Sequence, residues 1–477
     1  MIHTYKLNGK NFVLDVNSGG VHLVDDLAYD CIEFLRDSGA KEEPLLNEAA
    51  RNAAILQLEQ KDYKKSEIAE ALDEIAALTE AGKLFSGDEE YVKLAAKKSQ
   101  TTPQEQKNVI KALCLHVAHT CNLDCEYCFA RGGTYHGKHT LMSREVGEKA
   151  IDFLIEKSGS RRNLEVDFFG GEPLMNWETV KHIVNYARNI EEQHNKNFRF
   201  TLTTNGMLVT DEVIDFCNAQ MANVVLSLDG RPAVHDRFRV TPGGVGSYDV
   251  VVPKFVEFAK RRKKNYYMRG TYTHFNTDFT EDIFHMAELG FDELSMEPVV
   301  CPPGSPNALT DDDLPVLFEQ YEILALEMLK REKTGSKPFN FYHYNIDLKN
   351  GPCIHKRILG CGSGSEYMAV TPTGELYPCH QFVGDKDFAL GDVWNGVKNF
   401  DIIDKFKKSS LYSKPQCGDC WGKFYCSGGC AANAYHSCGD INGIYEFGCK
   451  LFKKRIECGI MLNVEKTLLA EARNEQI

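Results

Sequence analysis

No apolar run in these 477 residues approaches the roughly 18 needed to cross a bilayer, so the chain does not read as a membrane protein. Its opening segment, MIHTYKLNGKNF, lacks the apolar centre of a secretory signal, and the expectation is a cytoplasmic protein that does not touch a membrane. Basic charge is scarce as well. With 55 Lys and Arg against 68 Asp and Glu, the formal net charge is -13, which argues against a general affinity for nucleic acid phosphates. What remains is 43% hydrophobic and 26% charged, the composition of a soluble globular protein long enough for about two to four domains.

Cysteine, by contrast, is abundant. Seventeen thiols in a reducing compartment are poor candidates for disulfides, and where they cluster they point to metal. Cys31, Cys114, Cys217 and Cys301 stand alone and are expected to be packed in the core. The most informative cluster is CNLDCEYC, where Cys121, Cys125 and Cys128 follow an apolar, strand-like run. Three thiolates on one short loop can hold three irons of a four-iron cluster and leave the fourth open; a zinc knuckle with a distant fourth ligand, or plain packing, are the alternatives.

The chain punctuates itself. Residues 1–90 begin with HTYKL and NFVLDV around the turn signal NGK, then show helical periodicity in LAYDCIEFL and SEIAEALDEIAALTEAGKLF, a winged-helix-like arrangement. Residues 91–111 are polar and aperiodic and read as a linker. From 112 to 305, six strand-like runs (ALCLHVA, LEVDFFG, FRFTLTTNG, NVVLSLDG, YYMRGTYTHF, ELSMEPVV) alternate with amphipathic helices. That alternation predicts an α/β fold with parallel strands, a barrel or open sheet, with its chemistry at the carboxyl ends of the strands. Residues 306–350 look like a helical bridge. Residues 351–477, rich in cysteine and glycine before a final helix, would draw folding energy from bound metal.

At the rim of the predicted sheet lie Gly170, Gly171, Glu172 and Pro173, where two glycines permit close approach of a ligand and Glu172 can accept from an ammonium group. Thr203 and Asn205 follow the third strand, and Ser227 and Asp229 the fourth, polar groups suited to a ribose. CNLDCEYC followed by GGEP resembles the radical S-adenosylmethionine (SAM) superfamily over residues 112 to about 300. The resemblance implies a partial (β/α)6 barrel, a 4Fe-4S cluster on Cys121, Cys125 and Cys128, and SAM chelated to the open iron. It further implies Tyr127 near the adenine, the segment Gly170–Pro173 at the amine, and Thr203, Asn205, Ser227, Asp229 and Arg239 around ribose and carboxylate. A 5'-deoxyadenosyl radical would then abstract hydrogen from unactivated carbon.

A second set of thiols runs Cys361, Cys379, Cys417, Cys420, Cys426 and Cys430, with Cys438, Cys449 and Cys458 beyond and Cys353 upstream. A zinc ribbon is one reading of its CxxC pair. The pattern resembles the SPASM extension of radical SAM enzymes, which implies two auxiliary 4Fe-4S clusters, three clusters in all. One would use Cys361, Cys379 and Cys430, with Cys353 as an optional fourth ligand; the other would use Cys417, Cys420, Cys426 and Cys449, chosen over Cys438. An open iron on the first would bind a substrate thiol as thiolate.

LCLHVAHTCNLDCEYCFA and LGCGSGSEYMAVTPTGELYPCHQFVG are similar to the thioether-forming maturases of cysteine-rich SCIFF peptides. That likeness implies an enzyme joining a cysteine sulfur to the carbon of an acceptor residue, threonine by preference, in a ribosomally made precursor. Residues 1–90 would bind the precursor's leader along a sheet edge, and flavodoxin or ferredoxin would supply electrons. A formylglycine-generating sulfatase maturase is the enzymatic alternative, and a non-catalytic iron-sulfur winged-helix regulator the alternative of another class. His116, His119, His235, Asp236 and Glu297 fall near predicted rims and are expected to be structural; no catalytic acid or base is assigned.

Overall fold

The computed structural model describes residues 1–38, 47–99, 109–135, 137–301, 304–348 and 354–474. Asn8 and Gly9, with φ of 51° and 69°, make the tight turn that joins β1 (Ile2–Leu7) to β2 (Lys10–Asp15) in register Leu7↔Lys10. A third strand, β3 (Gly20–Val24), which the sequence reading did not foresee, pairs antiparallel with β2 and leaves its other edge open among the described residues. Helices α1 (Asp26–Asp37), α2 (Glu48–Leu58) and α3 (Lys65–Glu80) follow. Ile2 and Val13 on one face of this sheet pack with Cys31, Ile32, Leu35, Ile68, Leu72 and Ile75 in a core of the module's own.

The other face, with Tyr5, Leu7, Phe12 and Leu14, belongs to the main core of the chain. It docks on the long C-terminal helix Glu446–Asn474: the Tyr5 hydroxyl donates to Glu457 O at 3.1 Å, and Lys10 pairs with Glu465 at 3.0 Å. His3 stacks on Trp421 at 3.8 Å, and Lys423, 1% exposed, donates to Asp88 at 2.9 Å. The expected linker at 91–111 needs correcting. Its first part is helix α4 (Glu89–Ser99), whose Tyr91, Leu94 and Ala95, one turn apart, pack against the main core, with Tyr91 against Phe424 at 4.3 Å. Three apolar residues among many lysines were too few to register as a period; residues 100–108 lie outside the described residues.

Six strands then run parallel in chain order: β4 (Ala112–His119), followed after the short β5 (Thr140–Leu141) by β6 (Asn163–Gly170), β7 (Asn197–Thr204), β8 (Met221–Ser227), β9 (Asn265–Tyr272) and β10 (Glu293–Pro298). Between them lie α5 (Arg144–Lys157), α6 (Trp177–Glu191), α7 (Asp211–Gln220), α8 (Pro232–Phe238), α9 (Tyr248–Arg261) and α10 (Phe279–Glu288), with α11 (Leu314–Thr334) after β10. Local chemistry starts these helices: Ser143 accepts from Val146 N before α5, and Thr210 from Val213 N before α7. On β7 burial alternates, so Phe198, Phe200 and Leu202 enter the helix-covered core while Thr201 and Thr203 face the other side.

The same sheet continues past both ends of the barrel strands. Beyond β10 lies β11 (Asn340–Phe341), and beyond β4 lie β12 (Tyr367–Val370), β13 (Glu375–Tyr377), β14 (Gly391–Asp392) and β15 (Gly396–Val397). The hairpin expected at TPTGELYPC is the β12–β13 pair, and β12 hydrogen-bonds to β4 itself, beside the first cysteine loop. No helix among the described residues is long and apolar enough to cross a membrane.

The Lys423–Asp88 pair ties the amino-terminal module to the cysteine-rich region. Asp88→Asn strands a buried ammonium, and because Asp88 is a third exposed we expect a loss of about 1–3 kcal/mol, below the ~3–5 of a fully buried pair. An unchanged denaturation midpoint would show that the contact contributes nothing.

Candidate functional site

The first cysteine loop begins where β4 ends. Cys128 N donates to Cys125 O at 3.0 Å, Asp124 N to Val240 O at 2.7 Å, and Leu123 is buried, so the loop is folded onto the sheet rather than free. Cys121 Sγ accepts from Leu123 N at 3.4 Å and from the Asn205 side-chain amide at 3.6 Å; that amide also donates to Asn122 Oδ1 at 2.8 Å. Burial pushes the Cys121 thiol up to about 12, with Glu172, Cys125 and Cys128 adding to it. Cys125 rises to about 11 by burial, opposed by Arg239. Thiols raised this far stay protonated unless a metal claims them, and N–H groups aimed at sulfur suit a metal thiolate. The donor set therefore fits a three-cysteine iron-sulfur site.

The glycines of GGEP have a different use from the one expected. A Cβ on Gly171 would lie 2.1 Å from Thr120 O, and one on Gly170, where φ is +124°, would lie 2.3 Å from Ala118 O. The close approach is thus made by the chain's own backbone, with Gly171 N donating to Ala118 O at 2.8 Å and Glu172 N to Thr120 O at 3.0 Å. Glu172 is buried and its carboxylate is already occupied. It accepts from Leu174 N at 3.0 Å, Thr204 Oγ1 at 2.8 Å and Asn205 N at 2.8 Å. Burial lifts its pKa to about 7 against those three hydrogen bonds. Pro173 opens the short helical turn that follows.

Asp229 is likewise engaged inside the protein. Arg239 grips it with Nε at 2.8 Å and Nη2 at 3.1 Å, Tyr127 donates its hydroxyl at 2.6 Å, and Thr271 N donates at 2.9 Å. Asp229 and Arg239 form a buried pair that fixes Tyr127 and places a guanidinium near Cys125. The hydroxyls of Thr203 and Ser227 are half-buried and make no hydrogen bond within the chain among the described residues, which leaves them available at the strand ends.

The five rim groups expected to be structural are held by neighbours. His116 and His119 hydrogen-bond at 3.1 Å and lie against the Tyr135 ring, burial driving both far below the usual imidazole range. His235 bridges Asp229 N at 3.3 Å and Ser247 Oγ at 2.9 Å, and Asp236 accepts from Tyr248 N at 2.8 Å. Glu297 is held by His343 at 3.2 Å and Arg455 at 3.3 Å; burial alone would raise it, but these two neighbours and Arg269 keep it low. Two inward-facing residues went unnoticed in the sequence. Asp167 on β6 is lifted to about 6 by burial with Glu165 adding, and Arg269 on β9 stays exposed beside Ser227. Charge at alternate positions of LEVDFF and YYMRGTY was the available signal.

The later thiols fall into two groups. Burial raises Cys379 to about 12, with Cys430 and Cys361 adding, and Cys430 in turn feels Cys361. Burial also raises Cys426 to about 12, with Cys449, Cys417 and Cys420 adding. Cys438 is apart and exposed, its thiol donating to Ala434 O at 3.1 Å. Cys353 lies outside the described residues. Cys31, Cys114, Cys217 and Cys458 are buried; Cys301, expected in the core, is only half-buried because it follows the end of β10. Among the described residues no three His, Cys, Asp or Glu converge on one point.

Residues 115–251 match the family model of the radical SAM superfamily, and the chain carries a radical SAM domain. It is 24% identical over 363 residues to the radical SAM cyclopropyl synthase TigE of Paramaledivibacter caminithermalis, covering 72% of each chain. It is 24% identical over 369 residues to the serine-type anaerobic sulfatase-maturating enzyme of Bacteroides thetaiotaomicron, 70% of this chain and 85% of that one. In fold it is similar to Streptococcus suis SuiB bound to S-adenosylmethionine, with a TM-score of 0.50 and 15% identity over 93% of this chain and 97% of that one. A radical SAM domain implies SAM and a 4Fe-4S cluster.

Gly171→Ala drives a methyl into Thr120 O and should cost about 2–4 kcal/mol, while Gly243→Ala, which meets nothing closer than 3.8 Å, should stay within about 0.5. Denaturation midpoints that fail to separate the two would sink the packing account of GGEP.

Proposed function

We propose that the protein is a radical SAM peptide maturase that installs intramolecular thioethers in a cysteine-rich, ribosomally made precursor of the SCIFF type. The observation that carries this reading is the pairing of one three-thiol loop at the barrel rim with a second three-thiol group, Cys361, Cys379 and Cys430. Cys361 of that group is exposed and lines a surface cavity with Gly360, Gly362 and Ser363. A substrate thiol entering there would meet sulfur ligands already in place.

When bound, the cluster and SAM supply a radical that removes hydrogen from carbon. The chain's own residues do the rest. Cys121, Cys125 and Cys128 hold the SAM cluster; Asn205 and Leu123 N steady the Cys121 sulfur. Thr203 and Ser227 offer free hydroxyls to SAM, and the carbonyls of Gly170–Glu172 lie beside the loop. The Asp229–Arg239 pair keeps Tyr127 oriented. Cys417, Cys420, Cys426 and Cys449 hold the third cluster. Residues 1–90 bind the leader along the open edge of β3, where Leu23 is exposed. The module is not on a loose tether, as its sequence suggested, since its sheet is part of the main core.

A sulfatase-maturase reading is favoured by the span of that relative, 85% of whose length this chain matches. The two readings separate on product. Each thioether removes one hydrogen from carbon and one from sulfur, so the reduced holoenzyme with SAM should lower the mass of a cysteine-rich precursor by two units per bridge. A precursor of unchanged mass, with a sulfatase peptide oxidised in its place, would decide for the alternative.

Leu23→Lys should weaken leader binding by about tenfold by placing a charge on the receiving edge, while SAM cleavage without peptide continues. Unaltered precursor affinity, read by fluorescence anisotropy, would move the leader site off β3.

A further inference from the structure

Lys414 caps the short turn that carries Cys417, and its carbonyl accepts from Cys417 N at 2.9 Å. Its side chain turns inward. Only 3% of the residue is exposed, and the ammonium has one hydrogen bond within the chain, to Gly428 O at 2.8 Å, two residues before Cys430. No carboxylate among the described residues forms an ion pair with it. A buried cation without an anion is strongly unfavourable, so the site as built calls for negative charge from something the protein binds.

The groups around Lys414 identify that charge. Burial pushes up Cys430 on one side and Cys417 and Cys449 on the other, and at each of them Lys414 opposes the rise. Cys430 belongs with Cys361 and Cys379, while Cys417 and Cys449 belong with Cys420 and Cys426. By geometry too Lys414 stands between the two groups: its ammonium bonds Gly428 O two residues before Cys430, its backbone caps the turn of Cys417, and it lines the cavity onto which Cys361 opens.

We infer that Lys414 is the shared counter-charge of two anionic iron-thiolate clusters and sets the reduction potential of both. This rests on the proposed reading of the two thiol groups as iron-sulfur sites. Reduction adds an electron to a cluster that is already anionic, and a fixed positive charge beside it makes that addition easier, as local charge does for such clusters in general. Removing the charge lowers both potentials; the cluster at Cys121, Cys125 and Cys128, where Glu172 acts on the Cys121 thiol, Arg239 on Cys125 and Lys414 on neither, keeps its own.

The test is a redox titration of the full-length, anaerobically reconstituted protein, followed by electron paramagnetic resonance, for wild type, Lys414→Met and Lys414→Arg. In Lys414→Met the reduced-to-oxidised ratio of both auxiliary couples, read at the wild-type midpoints, should fall about tenfold, equal to roughly 59 mV for a one-electron couple. Lys414→Arg should stay close to wild type. If Lys414→Met loses iron from both groups, retention by Lys414→Arg supports the inference, and equal loss in both variants overturns it. Full iron in Lys414→Met with either auxiliary couple unmoved also overturns it. Wild-type protein holding iron for only one cluster would overturn the cluster reading and this inference together, whereas three clusters with unmoved potentials would overturn this inference alone.

Discussion

Two glycines pressed onto a neighbouring strand are the constraint from which the rest of the site follows. Because Gly170 and Gly171 have no side chains, the end of β6 can lie directly on Ala118 and Thr120, the last residues before the cysteine loop. Glu172 then reaches the other way, to Thr204 and Asn205 at the end of β7. Three strand ends are thereby locked together by backbone contacts and one buried carboxylate. Asn205, held in place by that carboxylate, is free to aim its amide at Cys121. The position of the first thiol is thus inherited from the sheet and not left to loop conformation, which a site that must hold reactive groups in fixed geometry requires.

Buried charge recurs around the site, and each instance is balanced differently. Asp229 is matched inside the protein by Arg239 and two hydrogen-bonding neighbours, Tyr127 and Thr271, so it acts as framework. Glu297 is matched by Arg455, which joins β10 to the C-terminal helix, and meets His343 at 3.2 Å as well. Lys414 has no such match. The contrast separates groups that finish the fold from a group that anticipates something bound, since an ammonium this deeply buried and held by a single carbonyl leaves its charge unmatched, where the buried Lys196 has two carbonyls.

The strand–helix alternation was legible because β6 to β9 and their helices carry strong periods, and the cysteine loop was legible because its spacing is local. Other features required contacts between distant parts of the chain. Glycine at 170 and 171 could be read as ligand space, since sequence does not reveal that Thr120 and Ala118 fill it. Asp229 looked available for a ribose because Arg239 and Tyr127 lie ten and about a hundred residues away. Helix α4 was hidden because the exposed Val92 and Lys93 interrupt its apolar stripe. Its apolar stripe makes sense only once Phe424 is in place to receive Tyr91. Asp167 and Arg269 were masked by the apolar residues alternating with them, which set the strand pattern and drew the eye to the core face.

The amino-terminal module and the later thiols also meet on shared residues. Between Cys420 and Cys426, Trp421 stacks on His3 of β1, Lys423 pairs with Asp88, and Phe424 receives Tyr91. These three anchors of the module therefore sit on a turn bounded by two thiols of one group. A turn of four helical residues, Lys423–Cys426, has too few backbone hydrogen bonds to hold its own geometry, so its order depends on what is bound to its cysteines on one side and on the module on the other. Occupancy of the thiol group and docking of the module consequently stabilise the same short segment. By linkage, the factor by which an occupied thiol group favours docking is the factor by which docking favours its occupancy.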